Sequence, residues 1–200
     1  MIWAVILAAG ESRRMGRQKL LLPFGDATVV EAVVRTALAS DVDRAVAVLG
    51  ADREAVRAKL EPSGVDFAVN ERFADGMLSS IQTGFRALPP EAEAAVVMLG
   101  DQPFLPPLVV DAVVRGYRES LKGIVIPVFR TKRGHPVLVD LKYREEVLAL
   151  DPSDGLRHLM RTHPEDIAEV EVDDANILRD LDTPEDYSEV NGAKTWSFLV

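Results

Sequence analysis

Leu7-Ala8-Ala9-Gly10-Glu11-Ser12-Arg13-Arg14-Met15-Gly16-Arg17-Gln18-Lys19 closes the apolar run Ile2–Ala8 and turns it into a polar, basic stretch. A run so short and so uniformly apolar, ended by Ala-Ala-Gly, predicts a buried strand, with a loop after it to about residue 26. Four basic residues fall within seven positions of that loop, beside two glycines. Small residues let backbone N–H groups approach a phosphate chain, and Arg and Lys neutralise its charge. A solvated basic loop would carry the same charges, but a position directly after a buried strand favours a phosphate cradle. Two familiar motifs fail here. The loop lacks the Gly-Lys-Ser/Thr ending of a P-loop, and Ser12 stands where Gly-x-Gly-x-x-Gly needs its second glycine.

Outward from this loop, apolar runs and helical spacing alternate. Strands are expected at Arg44–Leu49, Val65–Val69, Ala94–Leu99, Gly123–Pro127, Pro136–Leu141 and Ile167–Val172. Helices are expected over 28–39, 52–60, 77–87, Pro107–Tyr117, 142–149 and 155–162. Nearly continuous apolar strands alternating with helices predict an α/β fold of three layers, α/β/α, around a mainly parallel sheet. Ligands of such sheets sit at the carboxyl ends of the strands, which is where the basic loop and Gly100–Pro103 fall. Thr183-Pro184-Glu185-Asp186 has the order of a helix start. One domain over 1–191 is expected, followed by a C-terminal tail, 192–200, without periodicity.

The chain has 200 residues, 48 % hydrophobic and 28 % charged, a net charge of −9 and no cysteine. That balance predicts a soluble globular domain. Disulfides, thiolate metal sites and a cysteine nucleophile are excluded. The negative charge argues against nucleic acid, so an anionic ligand requires a local basic site. No apolar run approaches the ~20 residues of a membrane span and no leader pattern opens the chain, so the expected location is cytoplasmic, away from membranes.

Several further residues carry chemistry. Val96-Val97-Met98-Leu99-Gly100-Asp101-Gln102-Pro103 sends an apolar strand into an aspartate that can bind Mg²⁺ or simply form a turn. Asp180 and Asp182 precede the last helix start, where capping competes with metal binding. Ser79 and Ser80 open the helix after Gly76 and can contact a nucleotide or cap the helix. His135, in Arg133-Gly134-His135-Pro136, is a loop histidine, more often structural than catalytic.

Leu-Ala-Ala-Gly-x-Ser-x-Arg-Met-Gly-x-x-Lys resembles the signature of the MobA-like nucleotidyltransferases, and every fixed position is present. The resemblance implies their Rossmann-like fold, with Leu7, Ala8, Ala9 and Gly10 at base and ribose and Arg14 and Lys19 on the triphosphate. Leu99-Gly100-Asp101-Gln102-Pro103 and Gly134-His135-Pro136-Val137 resemble the molybdenum cofactor cytidylyltransferase branch. By that likeness Asp101 and Asp182, with Asp180 as runner-up, hold Mg²⁺, and Lys19, Arg14 and Asp101 are catalytic. Ser79 and Ser80 lie near the base, and Gly134, His135 and Arg157 face the acceptor. Ser153 stands where the branch usually carries Asp. The implied reaction moves CMP from CTP to molybdenum-pterin cofactor with release of pyrophosphate, and a molybdenum hydroxylase is the implied recipient. Another triphosphate, another phosphorylated acceptor, a non-catalytic cofactor-delivery protein and a flavin- or nicotinamide-dependent oxidoreductase are the alternatives.

Overall fold

The computed structural model describes residues 1–151 and 154–192. Ser153 and the tail from residue 193 lie outside the described residues.

Among the described residues ten strands form: β1 (Ile2–Ala8), β2 (Pro23–Phe24), β3 (Ala27–Thr28), β4 (Arg44–Leu49), β5 (Asp66–Val69), β6 (Ala94–Leu99), β7 (Ile124–Phe129), β8 (Lys132–Arg133), β9 (Val137–Asp140) and β10 (Ile167–Glu171). The α-helices are α1 (Val29–Leu38), α2 (Arg53–Leu60), α3 (Met77–Ala87), α4 (Pro107–Ser120), α5 (Arg144–Ala149), α6 (Arg157–Thr162) and α7 (Pro184–Gly192). The main sheet runs β10-β7-β9-β6-β1-β4-β5, with β8 on β7. β1 pairs in parallel with β4 and β6, β4 with β5, and β7 with β10. β9 is antiparallel to both its neighbours. The mainly parallel sheet expected from the sequence is therefore present, with β9 reversed inside it and the short β8 reversed beside β7.

Strand periodicity sorts the core into two layers. On one face Ala4, Ile6 and Ala8 of β1 pack with Val33 and Val34 of α1, Val56 and Leu60 of α2 and Val110 and Val113 of α4. On the other, Trp3 and Val5 pack with Leu78, Ile81 and Phe85 of α3 and Leu159 of α6. Burial of side chains of this size contributes about 2 kcal/mol each. Strands buried on both faces cannot alternate polar and apolar residues, which is why β1, β4 and β6 read as unbroken apolar runs.

The expected elements form, with shifts of at most three residues at their ends. The stretch expected to be loop up to residue 26 differs most: it holds the 3-10 turns Arg13–Met15 and Lys19–Leu21 and the β2–β3 hairpin. Two-residue strands are too short to leave a periodic signature, and Gly25, at φ 67°, makes the turn. α1 begins at a capping box in which Thr28 Oγ1 accepts from the Glu31 N–H while Glu31 accepts from the Thr28 N–H at 2.7 Å. Among the described residues no helix is long and apolar enough to cross a membrane.

Candidate functional site

The carboxyl ends of β1, β4 and β6 meet at the basic loop. Close approach is possible because Gly50 and Gly100 flank β1: a Cβ on Gly100 would stand 2.6 Å from the Leu7 carbonyl oxygen, and one on Gly50 2.7 Å from that of Ala9. The Gly100 N–H donates to the Leu7 carbonyl at 3.0 Å and the Ala51 N–H to the Ala9 carbonyl at 3.1 Å. The loop then leaves the sheet through Ser12, held at φ 53°, ψ 35°, and turns into Arg13–Met15. A left-handed residue followed by right-handed ones points successive N–H groups into one concavity, which suits an anion. Among the described residues no protein acceptor takes the N–H of Gly10, Glu11 or Ser12.

Lys19 is the centre of the charges. Its Nζ lies 2.5 Å from Asp101 Oδ2 and 2.8 Å from Asp182 Oδ1, and Arg14 reaches Asp182 Oδ2 at 2.7 Å. Asp101 arrives at the end of β6. Asp182 arrives from the far end of the chain, because the Leu181 N–H donates to the Asp101 carbonyl at 3.0 Å and the Leu181 side chain is buried. Burial opposes the Lys19 charge, but the two carboxylates outweigh it and raise its pKa. Burial likewise works against ionised Asp182, yet Lys19 and Arg14 pull its pKa down. Asp180 differs: burial, then the neighbouring Asp182, raise its pKa, and it does not line the cavity.

Capping accounts for Asp186 at this corner. Asp186 accepts from the Thr183 N–H and Oγ1, both at 2.8 Å, and from the Asp182 N–H at 3.1 Å. That leaves the Asp182 carboxylate to the lysine and arginine. The C-terminal helix is tied over the loop region by Tyr187, whose hydroxyl donates to the Pro23 carbonyl at 2.8 Å.

These groups line a cavity of about 410 Å³. Of the residues expected at the nucleotide, Leu7, Ala9, Gly10, Arg14, Lys19 and Ser80 line it together with Asp101 and Asp182. Ala8 is fully buried in the sheet layer and does not. Ser79 does not either: its hydroxyl donates to the Arg72 and Gly76 carbonyls at 2.9 and 2.8 Å and so closes the start of α3. Both serines are held by Asn70, whose Nδ2 donates to Ser79 Oγ at 2.8 Å and Ser80 Oγ at 3.0 Å. Asn70 follows β5 at its carboxyl end, so the strand-end rule that drew attention to Asp101 would have found it too. Phe73 and Met77 also line the cavity and have no such signal.

Gly134, His135 and Arg157 lie elsewhere, in a second cavity of about 710 Å³ that shares Met77 with the first. Gly134 has no room for a side chain against the Ile177 carbonyl, and the His135 N–H donates to that carbonyl at 3.0 Å. Burial lowers the His135 pKa, although Asp101 and the Val97 carbonyl work in the opposite direction, and its Nδ1 is buried without a partner. A neutral imidazole with an open acceptor is suited to receiving a hydrogen bond.

Among the described residues no three or more His, Cys, Asp or Glu gather into an all-protein metal cage. Two converging carboxylates beside a basic loop with unused N–H groups suit a cation that takes its remaining ligands from water and an anionic ligand, as Mg²⁺ does. The Lys19 ammonium already stands as a cation between them.

Known proteins resemble this chain over most of its length. Residues 4–167 match the model of the MobA-like NTP transferase domain. A nicotine blue oxidoreductase of Paenarthrobacter nicotinovorans is 32 % identical over 92 % of this chain and 93 % of its own. The molybdenum cofactor cytidylyltransferase of Escherichia coli K12 is 27 % identical over 92 % of each chain. Among solved structures, Rv0371c of Mycobacterium tuberculosis H37Rv superposes with a TM-score of 0.84 at 31 % identity, covering 94 % of this chain and 96 % of that one. The same protein in complex with manganese gives 0.78 at 28 % identity, covering 94 % and 97 %. With a family match across most of its length, the chain belongs to the MobA-like NTP transferase family of nucleotidyltransferases.

Proposed function

We propose that this nucleotidyltransferase moves CMP from CTP to the molybdenum-pterin cofactor and releases pyrophosphate. The observation that carries the transfer chemistry is the meeting of Lys19, Arg14, Asp101 and Asp182, from three separate parts of the chain, at the mouth of the cradle. CTP and the molybdenum-pterin acceptor are drawn from the likeness to the Escherichia coli enzyme and from Leu99–Pro103 and Gly134–Val137.

The N–H groups of Gly10, Glu11 and Ser12 receive triphosphate oxygens, and Arg14 and Lys19 balance their charge. Asp101 and Asp182 hold Mg²⁺. The chemistry the ion supplies when bound is neutralisation of the triphosphate's charge. An oxygen of the acceptor's phosphate monoester, ionised at neutral pH, attacks the α-phosphorus; the bond to the bridging oxygen breaks, and pyrophosphate leaves with the electron pair. No protein nucleophile is required, since positioning and electrostatics suffice for phosphoryl-type transfer. The acceptor lies in the second cavity, with Arg157 toward its anionic group and His135 Nδ1 accepting a hydrogen bond from its body.

The experiment is a thermal-shift panel of CTP, GTP, ATP and UTP, each with and without Mg²⁺. A ligand at about 100 times its Kd adds about 2.7 kcal/mol, which for a domain of this size is a rise of roughly 5–10 °C. The expected result is a Mg²⁺-dependent shift led by CTP. A response led by GTP would overturn the cytidylyl assignment. The name of the Paenarthrobacter relative favours a second reading, an oxidoreductase. A shift with NADH or NADPH, and none with any triphosphate, would install that reading instead. Response to molybdenum cofactor alone would indicate a delivery protein.

A further inference from the structure

Gln18 occupies a position that the loop signature leaves open, yet its side chain is the most connected in the loop. Its Nε2 donates to the Gly10 carbonyl and to Asp52 Oδ2, each at 3.2 Å. Its Oε1 accepts from Ser12 Oγ at 2.9 Å and from the Leu20 N–H at 3.4 Å. Ser12 Oγ in turn accepts from the Lys19 N–H at 3.0 Å. One amide therefore ties the two ends of the basic loop to each other and to the segment after β4.

The bond to Gly10 has a specific consequence. The Gly10 carbonyl and the Glu11 N–H belong to one planar trans peptide and point in opposite directions. Gly10 has open space where a Cβ would be, and glycine rotates more freely than other residues, so this peptide can flip at small cost. Flipped, it would present a carbonyl oxygen to the cavity in place of an N–H, and an anion would be repelled. Asp52, at φ 51° in the turn behind the loop, fixes the amide's other hydrogen and so selects which end of Gln18 faces Gly10.

We propose that Gln18, oriented by Asp52, is the positioning residue that turns the Gly10–Glu11 peptide so that the Glu11 N–H faces the triphosphate. This rests on the nucleotide-binding reading of the loop. It makes Gln18 a determinant of triphosphate affinity rather than of the chemical step, because it touches neither the metal carboxylates nor the acceptor cavity.

The test compares the parent with Gln18→Glu, Asp52→Asn and the double variant. The introduced carboxylate keeps the acceptor toward Ser12 and Leu20 but sets an oxygen against the Gly10 carbonyl and Asp52. Binding of Mg²⁺ with CTP, and of Mg²⁺ with inorganic tripolyphosphate, is read by thermal shift and calorimetry, alongside kcat and KM for transfer. Loss of one charge-assisted hydrogen bond corresponds to about tenfold or more in affinity. Gln18→Glu is expected to weaken both ligands by about that factor and raise KM while kcat stays within about threefold. Asp52→Asn alone, whose amide can meet Gln18 with either end, is expected to weaken both ligands by less than Gln18→Glu does. In the double variant the new amide donates to the introduced carboxylate, but position 18 still offers no donor to the Gly10 carbonyl, so affinity is expected to stay about as low as in Gln18→Glu. Parent-like binding by Gln18→Glu, or full recovery in the double variant, would overturn the positioning role alone. A parent that binds neither probe would overturn the nucleotide-binding reading, and this proposal with it.

Discussion

Two lysine–carboxylate clusters sit at opposite ends of the sheet, and only one of them is built like a site. At the carboxyl ends of β1 and β6, Lys19 is shared between Asp101 and Asp182, and both acids line an open cavity. At the other end, before β7 and β10, Asp166 Oδ2 accepts from Lys142 Nζ at 2.7 Å and from the Tyr143 hydroxyl at 2.6 Å. Burial opposes ionised Asp166, but Lys142, Tyr143 and the Gly123 N–H outweigh it and hold its pKa down to about 2. Space is absent there too, since a Cβ on Gly123 would collide with Lys142 and Tyr143. The lower cluster has one acid and several donors, so its charge is already satisfied. The upper one has unused N–H groups and room for a ligand. Paired charges mark a site only where binding capacity is left over.

The sharpest way to break this comparison is to remove one carboxylate from each end. Asp101→Asn is expected to lower turnover by about 10³ or more, with the fold intact, because charge neutralisation at the transferring group is lost. Asp182→Asn should follow it, whereas Asp180→Asn should retain most activity; the reverse order would exchange the two in the metal site. Asp166→Asn is expected to do the opposite, leaving kcat and KM unchanged while lowering stability by on the order of 1–2 kcal/mol, roughly 2–8 °C in Tm. A loss of activity without a loss of stability there would end the distinction between the two clusters.

The pH dependence sharpens the same contrast. Asp166 has a folded pKa below its unfolded value, so its contribution is present above about 4 and is lost as pH falls through about 2. Denaturant titrations of the parent should show that loss between pH 4 and 2, and Asp166→Asn should show less of it. The smallest effect belongs to the cap of α7. Asp186→Ala removes the acceptor of the Thr183 and Asp182 N–H groups and is expected to cost about 1 kcal/mol. Because Asp182 loses one restraint, a modest rise in KM for the triphosphate should accompany it.

Much of this was legible in the residues. β1, β4 and β6 are buried on both faces and so announce themselves as apolar runs, and the loop charges stand out against a chain of net charge −9. Capping and metal binding compete for the same acids in Asp180–Asp186, and only the fold separates them, by giving Asp186 to Thr183 and Asp182 to Lys19. The reversal of β9 left no mark, since a buried apolar strand reads alike in either direction. Gln18 was invisible for another reason. Its importance lies in four hydrogen bonds that exist only once the loop has closed on Asp52.

The account stands or falls on transfer itself. CTP labelled at the α-phosphate, incubated with Mg²⁺ and molybdenum cofactor, should yield a labelled cofactor and one pyrophosphate per transfer with the parent protein, and neither with Asp101→Asn. Label transfer that persists undiminished in Asp101→Asn, or no transfer from any nucleoside triphosphate by the parent, would contradict it.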